Sequence, residues 1–314
     1  MPYPDFLCIG APKCGTSWLH ANLRRHKQIV VPYIKEIHYF DGQSHGLPND
    51  FIRRLFHKRV GYWRRSLKRQ IFKKVTLKNM QRAKWLLNYA LRTRNDKWYA
   101  SLFNPDTGQV AGEHSPGYYC LPCMHVERIH KMMPECKIIY LVRNPVEQIW
   151  SMVKFMNFKI QKKEFEDISL DQIKEMCVDN YRIHNTDYLF HLANWEKFFP
   201  KENIFLGFYD EIRDCPDQLL LRIFDFLEVE KSEDHIYPIV RKIINKGPEY
   251  EIPDNIRVLL GLKTYDILKG LHERFGGYAT KWLEEETEFL EKHGALPECD
   301  LNIQKTSNNI CAVS

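Results

Sequence analysis

The sequence predicts an α/β fold: a three-layer domain in which a central parallel sheet is flanked by helices. Three observations predict it. An apolar run at 6–9 stops at Gly10 and is followed by a short turn and a helical pattern. A continuous apolar run at 138–142 has the composition of a buried parallel strand. Further strand and helix patterns alternate along the chain, which is typical of parallel sheets.

Length and composition set the expected domain organisation. The chain has 314 residues, of which 44% are hydrophobic, so one large domain can fill its own core. We expect a single domain over residues 1–306, with a basic helical insertion at about 45–100. A polar stretch from Ser307 predicts a flexible tail over 307–314.

The first strand, turn and helix are P-loop-like. Gly10 and Gly15 let the backbone turn and approach an anion closely. Lys13 adds a positive charge inside the turn, while Thr16 and Ser17 place hydroxyl groups in the first turn of the helix, whose amino end favours negative charge. The residues therefore predict a site for an oxyanion of a nucleotide.

The turn departs from the nucleoside-triphosphatase pattern. In G-x-x-x-x-G-K-[ST] the lysine follows the second glycine and the hydroxyl binds Mg²⁺. Here Thr16 stands in the lysine position, and the lysine lies at 13. A nucleoside kinase is therefore a poorer match, and an incidental glycine turn is the other interpretation of these residues.

The turn resembles the 5′-phosphosulfate loop of sulfotransferases that use 3′-phosphoadenosine 5′-phosphosulfate (PAPS) as donor. That family carries P-K-x-G-T-[ST]-x-L after its first strand, and the matching residues here are Pro12, Lys13, Gly15, Thr16, Ser17 and Leu19. The resemblance implies that Lys13 is catalytic. It also implies donor contacts from the whole loop, namely Lys13, Cys14, Gly15, Thr16, Ser17 and Trp18.

The segment 35–41 follows a short β-branched run that ends at Pro32 and predicts the second strand. Its sequence, KEIHYFD, is similar to the K-E-x-H-[FY]-F-D segment of heparan-type and bacterial small-molecule sulfotransferases. The resemblance implies that Glu36 is the general base. A carboxylate between Lys35 and His38, near an anion loop, can also take a proton on chemical grounds. An ordinary surface glutamate is the alternative.

His38 and Lys35 are candidate substrate contacts beside Glu36. An aromatic-flanked histidine such as His38 serves either packing or catalysis, and we include it among the catalytic candidates.

The stretch 110–119 predicts a third strand after an Asn-Pro-Asp turn. It is similar to the G-E-x-[ST]-P-x-Y pattern of the same sulfotransferase branch. Glu113 and His114 are therefore candidate substrate contacts. Many relatives carry lysine or threonine where His114 stands.

The strand at 138–142 ends in Arg143, where a Walker-type enzyme has an aspartate for Mg²⁺. A guanidinium at this place recognises an anion directly, so no metal is implied. The block resembles the 3′-phosphate motif of PAPS sulfotransferases, [LIV]-x-R-[ND]-P followed by serine, with Arg143 and Ser151 as the matching contacts. Lys246 and Gly247 resemble a shortened form of the family's adenine-covering loop.

The segment 51–98 contains sixteen lysines and arginines and one acidic residue. Such charge suits a solvated helical face, a nucleic-acid patch, or a wall that attracts an acidic acceptor. Its tryptophans have helical spacing, so we expect no nucleic-acid partner. In this family the acceptor cleft usually lies in this part of the chain.

Nine cysteines without a disulfide-scaffold spacing suit a reducing compartment. The amino terminus has no secretory pattern and no long apolar run is present, so we expect a cytoplasmic protein without a transmembrane segment. Cys120 and Cys123 with His125 form only half of a zinc site, and no metal is expected.

Together the resemblances imply transfer of the sulfuryl group from PAPS to a hydroxyl or amine, with 3′-phosphoadenosine 5′-phosphate (PAP) as product. A small molecule or natural product is the preferred acceptor, and a glycosaminoglycan-like carbohydrate is the alternative. A nucleotide kinase and a non-catalytic nucleotide-binding protein match less well. The oligomeric state stays open, a homodimer included.

Overall fold

The computed structural model describes residues 3–41, 77–161, 164–244, 247 and 249–295. The predicted tail at 307–314, Lys246 and most of the basic insertion lie outside these ranges. The chain forms two compact units. The first contains Met1–Val142 and Leu192–Ile244, and the second contains Arg143–His191 and Asn245–Ser314.

The first unit contains a five-stranded sheet in which every neighbouring pair is parallel. The strands are β1 (Phe6–Gly10), β2 (Ile29–Val30), β3 (Val110–His114), β4 (Lys137–Val142) and β5 (Ile204–Phe208). Their order is β2-β3-β1-β4-β5. All five residues of β1 are buried, as expected for a central strand with both faces covered. The predicted parallel α/β fold is confirmed.

The described helices are, in chain order, α1 (Thr16–Leu23), α2 (Leu77–Leu91), α3 (Asp96–Ala100), α4 (Cys123–Met132), α5 (Pro145–Lys154), α6 (Leu170–Val178), α7 (Asn180–His184), α8 (Tyr188–Glu196), α9 (Tyr209–Asp214), α10 (Pro216–Phe226), α11 (Asp254–Phe275) and α12 (Tyr278–Lys292). The second unit contains α5, α6, α7, α11 and α12, and α8 begins in that unit and ends in the first. No helix in the described part of the chain is long and apolar enough to cross a membrane.

The register between β1 and β3 is fixed by side-chain packing. Phe6 lies opposite Gly112, and a Cβ atom built on Gly112 would meet the Phe6 ring at 2.1 Å. The ring therefore fills the space that any larger residue at 112 would need. The same register sets Leu7 opposite Glu113 and Cys8 opposite His114.

The second unit is built around the apolar face of α5. Trp150 and its neighbours pack with α6 and α11 in a buried cluster that includes Ile173, Ile256 and Leu260. The α11–α12 pair is also joined by an ion pair between Arg257 and the buried carboxylate of Glu286, at 3.0 Å. The amphipathic spacing of α5, α6 and α12 favours helices that each bury one apolar face.

Candidate active site

The predicted anion loop connects β1 to α1 at the carboxyl edge of the sheet. Lys13 and Gly15 have positive φ angles of 67° and 92°, and Gly15 is the residue just before α1. A Cβ atom on Gly15 would lie 2.2 Å from Cδ1 of Ile212 on α9. Glycine is therefore required at 15 for both its backbone conformation and its close contact with α9.

Lys35 joins this loop to the predicted general base. Its ammonium donates hydrogen bonds to Thr16 Oγ1 at 3.2 Å, Ser17 Oγ at 3.1 Å and Glu36 Oε1 at 2.9 Å. Sequence reasoning had assigned Lys35 only as a substrate contact. The structure brings Lys35, Glu36 and the two loop hydroxyls into one hydrogen-bonded group.

His38 lies on the other side of Glu36. Its Nε2 is 3.6 Å from Glu36 Oε2, and its Nδ1 is 2.7 Å from Asp41 Oδ2. Burial raises the pKa of Glu36, but the hydrogen bonds and charges of His38 and Lys35 outweigh it and lower that pKa to about 2. Burial lowers the pKa of His38, but Asp41 and Glu36 outweigh it and raise that pKa to about 9. Glu36 is therefore a carboxylate held between two cations.

The backbone of this segment is unusual. Glu36 and His38 both have positive φ angles, 68° and 55°, which are uncommon outside glycine. The Glu36 amide donates to the His114 carbonyl at 3.0 Å, and Arg94 donates to the carbonyls of Ile37 and His38. External hydrogen bonds thus hold the segment in a conformation that its own residues disfavour.

Glu113 and His114 lie in the interior, because β3 is an inner strand between β2 and β1. Each is only 1% exposed. Glu113 accepts hydrogen bonds from three hydroxyl groups, and His114 Nδ1 is 3.4 Å from Nδ1 of His20. Burial and the charges of His20 and Lys35 lower the pKa of His114 well below its usual value, so His114 is neutral. The burial of Glu113 and His114 argues against the predicted direct contact of these two residues with the substrate.

A cavity of about 340 Å³ lies beside the loop in the same unit. Gly15, Trp18 and Tyr209 line it, together with the guanidinium-bearing residues Arg213 and Arg241. The indole of Trp18 is fixed by a hydrogen bond from Nε1 to the Val240 carbonyl at 2.7 Å. Planar rings and cations next to an anion loop fit an aromatic base with attached phosphates.

A larger cavity of about 650 Å³ is lined by Tyr3, Arg92, Asn95, Lys97 and Trp98. None of the individual residues predicted for the site lines it, but most of its lining belongs to the basic segment in which the acceptor cleft was expected. It includes Tyr3, which precedes β1, whereas the anion loop follows β1. An acceptor role for this cavity therefore stays a prediction.

Arg143 and Ser151 belong to the second unit. Arg143 precedes α5 and donates from Nε and Nη2 to Glu147 Oε2 at 2.9 and 2.7 Å. Ser151 follows Glu147 by one turn of the helix. Burial lowers the pKa of Lys154, at the end of α5, and the charge of Arg143 acts in the same direction.

Gly247 is exposed, and no atom lies within 4 Å of the place where its Cβ would be. Lys246 lies outside the described residues, so the predicted adenine-covering loop stays a prediction. In the described ranges, no group of three His, Cys, Asp or Glu side chains could hold a metal ion. The absence of a metal requirement stays a prediction.

Sequence reasoning missed several members of the site. Asp41 was visible as the last letter of the KEIHYFD segment but was given no role. Ser115 and Tyr118 were visible as the hydroxyl positions of the G-E-x-[ST]-P-x-Y pattern, and Glu147 lies four residues after Arg143, but none of them was given a role.

A model of the sulfotransferase domain family matches residues 3–246. Over 270 residues the chain is 24% identical to carbohydrate sulfotransferase 15 of Mus musculus, covering 73% of this chain and 45% of the relative. Over 108 residues it is 26% identical to the amine sulfotransferase of Oryctolagus cuniculus, covering 34% and 35%. The chain thus spans less than half the length of these curated relatives.

Among solved structures, the chain is similar to a sulfotransferase from Alicyclobacillus acidocaldarius. The TM-score is 0.59 at 20% identity, and the similarity covers 90% of this chain and 99% of the other. At this identity the similarity concerns the fold.

Proposed function

The chain belongs to the sulfotransferase family, and from that premise we propose that it transfers the sulfuryl group of PAPS to a hydroxyl or amine. The observation that carries this proposal is the position of Lys35. One ammonium bonds both hydroxyls of the anion loop and the carboxylate of Glu36, so donor loop and base are adjacent. A binding protein without turnover has no need of a base at that place.

In the proposed reaction the bond from sulfur to the 5′-phosphate oxygen of PAPS breaks, and a bond from sulfur to the acceptor oxygen or nitrogen forms. Lys13, the amides at the start of α1 and the hydroxyls of Thr16 and Ser17 stabilise the charge on the departing phosphate. Glu36 takes the acceptor proton. His38, fixed by Asp41, orients Glu36 and contacts the acceptor.

The remaining donor contacts follow from the cavity and from the motifs. Trp18 and Tyr209 form the walls that would receive the adenine ring. Arg143 and Ser151 would bind the 3′-phosphate, since a guanidinium offers paired donors to phosphate oxygens. Cys14 contributes through its backbone, because its buried thiol is turned to the Pro12 carbonyl at 3.5 Å. Lys246 and Gly247 stay predictions from the motif.

Two acceptor classes are supported by different observations. The similarity of KEIHYFD to bacterial small-molecule sulfotransferases supports a small molecule or natural product, and its similarity to heparan-type enzymes supports a saccharide. The longer of the two curated matches is to a protein named as a carbohydrate sulfotransferase, which favours a saccharide hydroxyl. We keep the small molecule as the first candidate and the saccharide as the second. Cytoplasmic location and a homodimer are further predictions.

The test is transfer of radioactive sulfur from ³⁵S-labelled PAPS to panels of phenols, amines, alcohols and oligosaccharides, without added Mg²⁺. We expect one panel to yield a labelled product that the Glu36→Gln variant does not form. Binding of PAP without transfer to any panel would contradict the enzymatic proposal.

A further inference from the structure

Glu113 is a carboxylate at the centre of a buried group of hydroxyls. Tyr99 donates to its Oε2 at 2.6 Å, Tyr118 donates to its Oε1 at 2.8 Å, and Ser115 also donates to Oε1. Glu113 lies on β3, opposite Leu7 of β1, and is 1% exposed. Burial raises the pKa of Glu113 above its usual value, although the three hydroxyl donors act in the opposite direction by stabilising the carboxylate. In its ionised form the carboxylate accepts at both oxygens and donates nothing, so all three hydroxyl hydrogens point toward it.

Two of these hydroxyls turn their lone pairs to the segment that carries Glu36. The Tyr39 amide donates to the Tyr118 hydroxyl at 2.8 Å, and the Phe40 amide lies 3.4 Å from the same oxygen. The His38 amide lies 3.4 Å from Ser115 Oγ. Hydrogen bonds therefore run in one direction, from backbone amides to hydroxyls and from hydroxyls to Glu113.

The segment needs such support because of its conformation. The positive φ angles of Glu36 and His38 cost free energy, and such conformations persist only where the surroundings impose them. The network supplies restraints on the carboxyl side of Glu36, while the bond from the Glu36 amide to the His114 carbonyl supplies one on the amino side. Residues of β3 and those directly after it thus fix both ends of the segment.

We propose that Glu113 is a positioning residue, whose carboxylate sets the direction of the Ser115 and Tyr118 hydroxyls and thereby holds Glu36 and His38 in their working orientation. The catalytic part of this inference rests on the proposed function. Glu113→Met keeps the approximate size of the side chain but removes both carboxylate oxygens. The Ser115 and Tyr118 hydroxyls then lose the acceptor that sets their direction.

Tyr99 provides the matched control. Its hydroxyl reaches Glu113 Oε2, but in the described contacts it does not bond the 36–40 backbone, and its ring stacks on Tyr39 at 4.6 Å. Tyr99→Phe keeps that stacking and removes one buried hydrogen bond. Tyr118→Phe removes the hydroxyl that links Glu113 to the Tyr39 amide. Each variant loses one tyrosine hydroxyl, but only Tyr118→Phe loses the connection between Glu113 and the Tyr39 amide.

The experiment has two readouts. The first is the titration of His38 by imidazole NMR in the full chain without donor, which needs no activity. We expect the His38 pKa of about 9 to fall toward its usual value in Glu113→Met and Tyr118→Phe and to stay in Tyr99→Phe. The second is kcat, for which we expect a loss of about 10²-fold in the first two variants, with PAP affinity within about twofold.

The possible results distinguish the positioning role of Glu113 from the proposed sulfuryl transfer. An unchanged His38 titration in both Glu113→Met and Tyr118→Phe overturns the positioning role. Equal losses of kcat and of His38 pKa in Tyr99→Phe also overturn it, because the network would then act through stability alone. If Glu113→Met does not fold, the comparison of Tyr118→Phe with Tyr99→Phe still tests the positioning role. Should the wild type transfer no sulfuryl group while His38 responds as expected, the proposed function fails and the positioning role stands.

Discussion

Lys35 donates a hydrogen bond to Glu36 at 2.9 Å with the same ammonium that donates to the loop hydroxyls of Thr16 and Ser17. The cation is therefore shared between the base and the anion loop. A carboxylate with a pKa of about 2 takes a proton poorly. A sulfate or phosphate in the loop would compete for Lys35, weaken its hold on Glu36 and make that carboxylate a stronger base.

Replacing Glu36 by Gln tests the base. The variant keeps the shape of the side chain and the loop residues, so we expect PAP affinity within about threefold of wild type. Turnover should fall at least about 10²-fold, because the acceptor proton has no carboxylate to receive it. Calorimetry and initial rates measure the two quantities. Glu127→Gln, on the exposed face of α4, is the matched control and should match wild type. Normal turnover of Glu36→Gln would refute the assignment.

Replacing Lys35 by Met tests the shared cation. Removal of the positive charge should raise the pKa of Glu36, since Lys35 helps to lower it. The acid limb of the pH profile of kcat/KM should therefore move to higher pH, and PAP affinity should fall about 10-fold or more. Lys35→Arg keeps the charge and should leave the acid limb near its wild-type position. An acid limb that stays in place in Lys35→Met would show that Lys35 does not act on Glu36.

His38 should make stability depend on pH. Its pKa is raised to about 9, above the value of about 6.5 for an unfolded histidine, so its contribution is complete below pH 6.5 and is lost as the pH rises through 9. We expect wild type to exceed His38→Gln in free energy of unfolding by on the order of 1–3 kcal/mol at pH 6. The difference should shrink by pH 9.5. Urea unfolding at several pH values measures it, and a difference that grows with pH would contradict the assignment.

The Arg143–Glu147 pair predicts opposite effects at the 3′-phosphate. Arg143→Ala should weaken PAP binding by about 10- to 100-fold through loss of a charged hydrogen bond. Glu147→Gln should instead tighten it by about two- to fivefold, because a half-exposed ion pair no longer competes for the guanidinium. AMP lacks the 3′-phosphate and should bind both variants like wild type. Weaker PAP binding by Glu147→Gln would mean that Glu147 positions Arg143 rather than competing for it.

Local patterns predicted the central elements of the first unit well. The run before Gly10, the turn and the helix from Thr16 form as expected, because glycine placement and apolar spacing determine them within a few residues. The second strand was expected to be longer than the two residues of β2. Before it, His26 Nδ1 accepts a hydrogen bond from the Gln28 amide and so turns the chain locally.

The site was harder to predict than the fold. The family resemblance assigned Glu36 and the loop to one site, but it could not show that one ammonium bonds both. Similarity to a motif led us to expect Glu113 and His114 in contact with the substrate. A position in a motif does not show whether the side chain is buried. Their burial follows from the strand order, which places β3 between two other strands and is a property of the whole sheet.

The Phe6 ring that occupies the place of a side chain at Gly112 also acts during assembly. If β3 paired with β1 one residue out of step, the ring would collide with a larger neighbour, and Glu113 would point to the opposite face of the sheet. The shift would therefore disrupt the packing of Phe6 and, at the same time, the hydrogen bonds of Glu113 that hold the segment carrying Glu36. Mispaired molecules should therefore appear as unfolded protein, open to degradation, and not as a folded pool that binds nucleotide without turning it over.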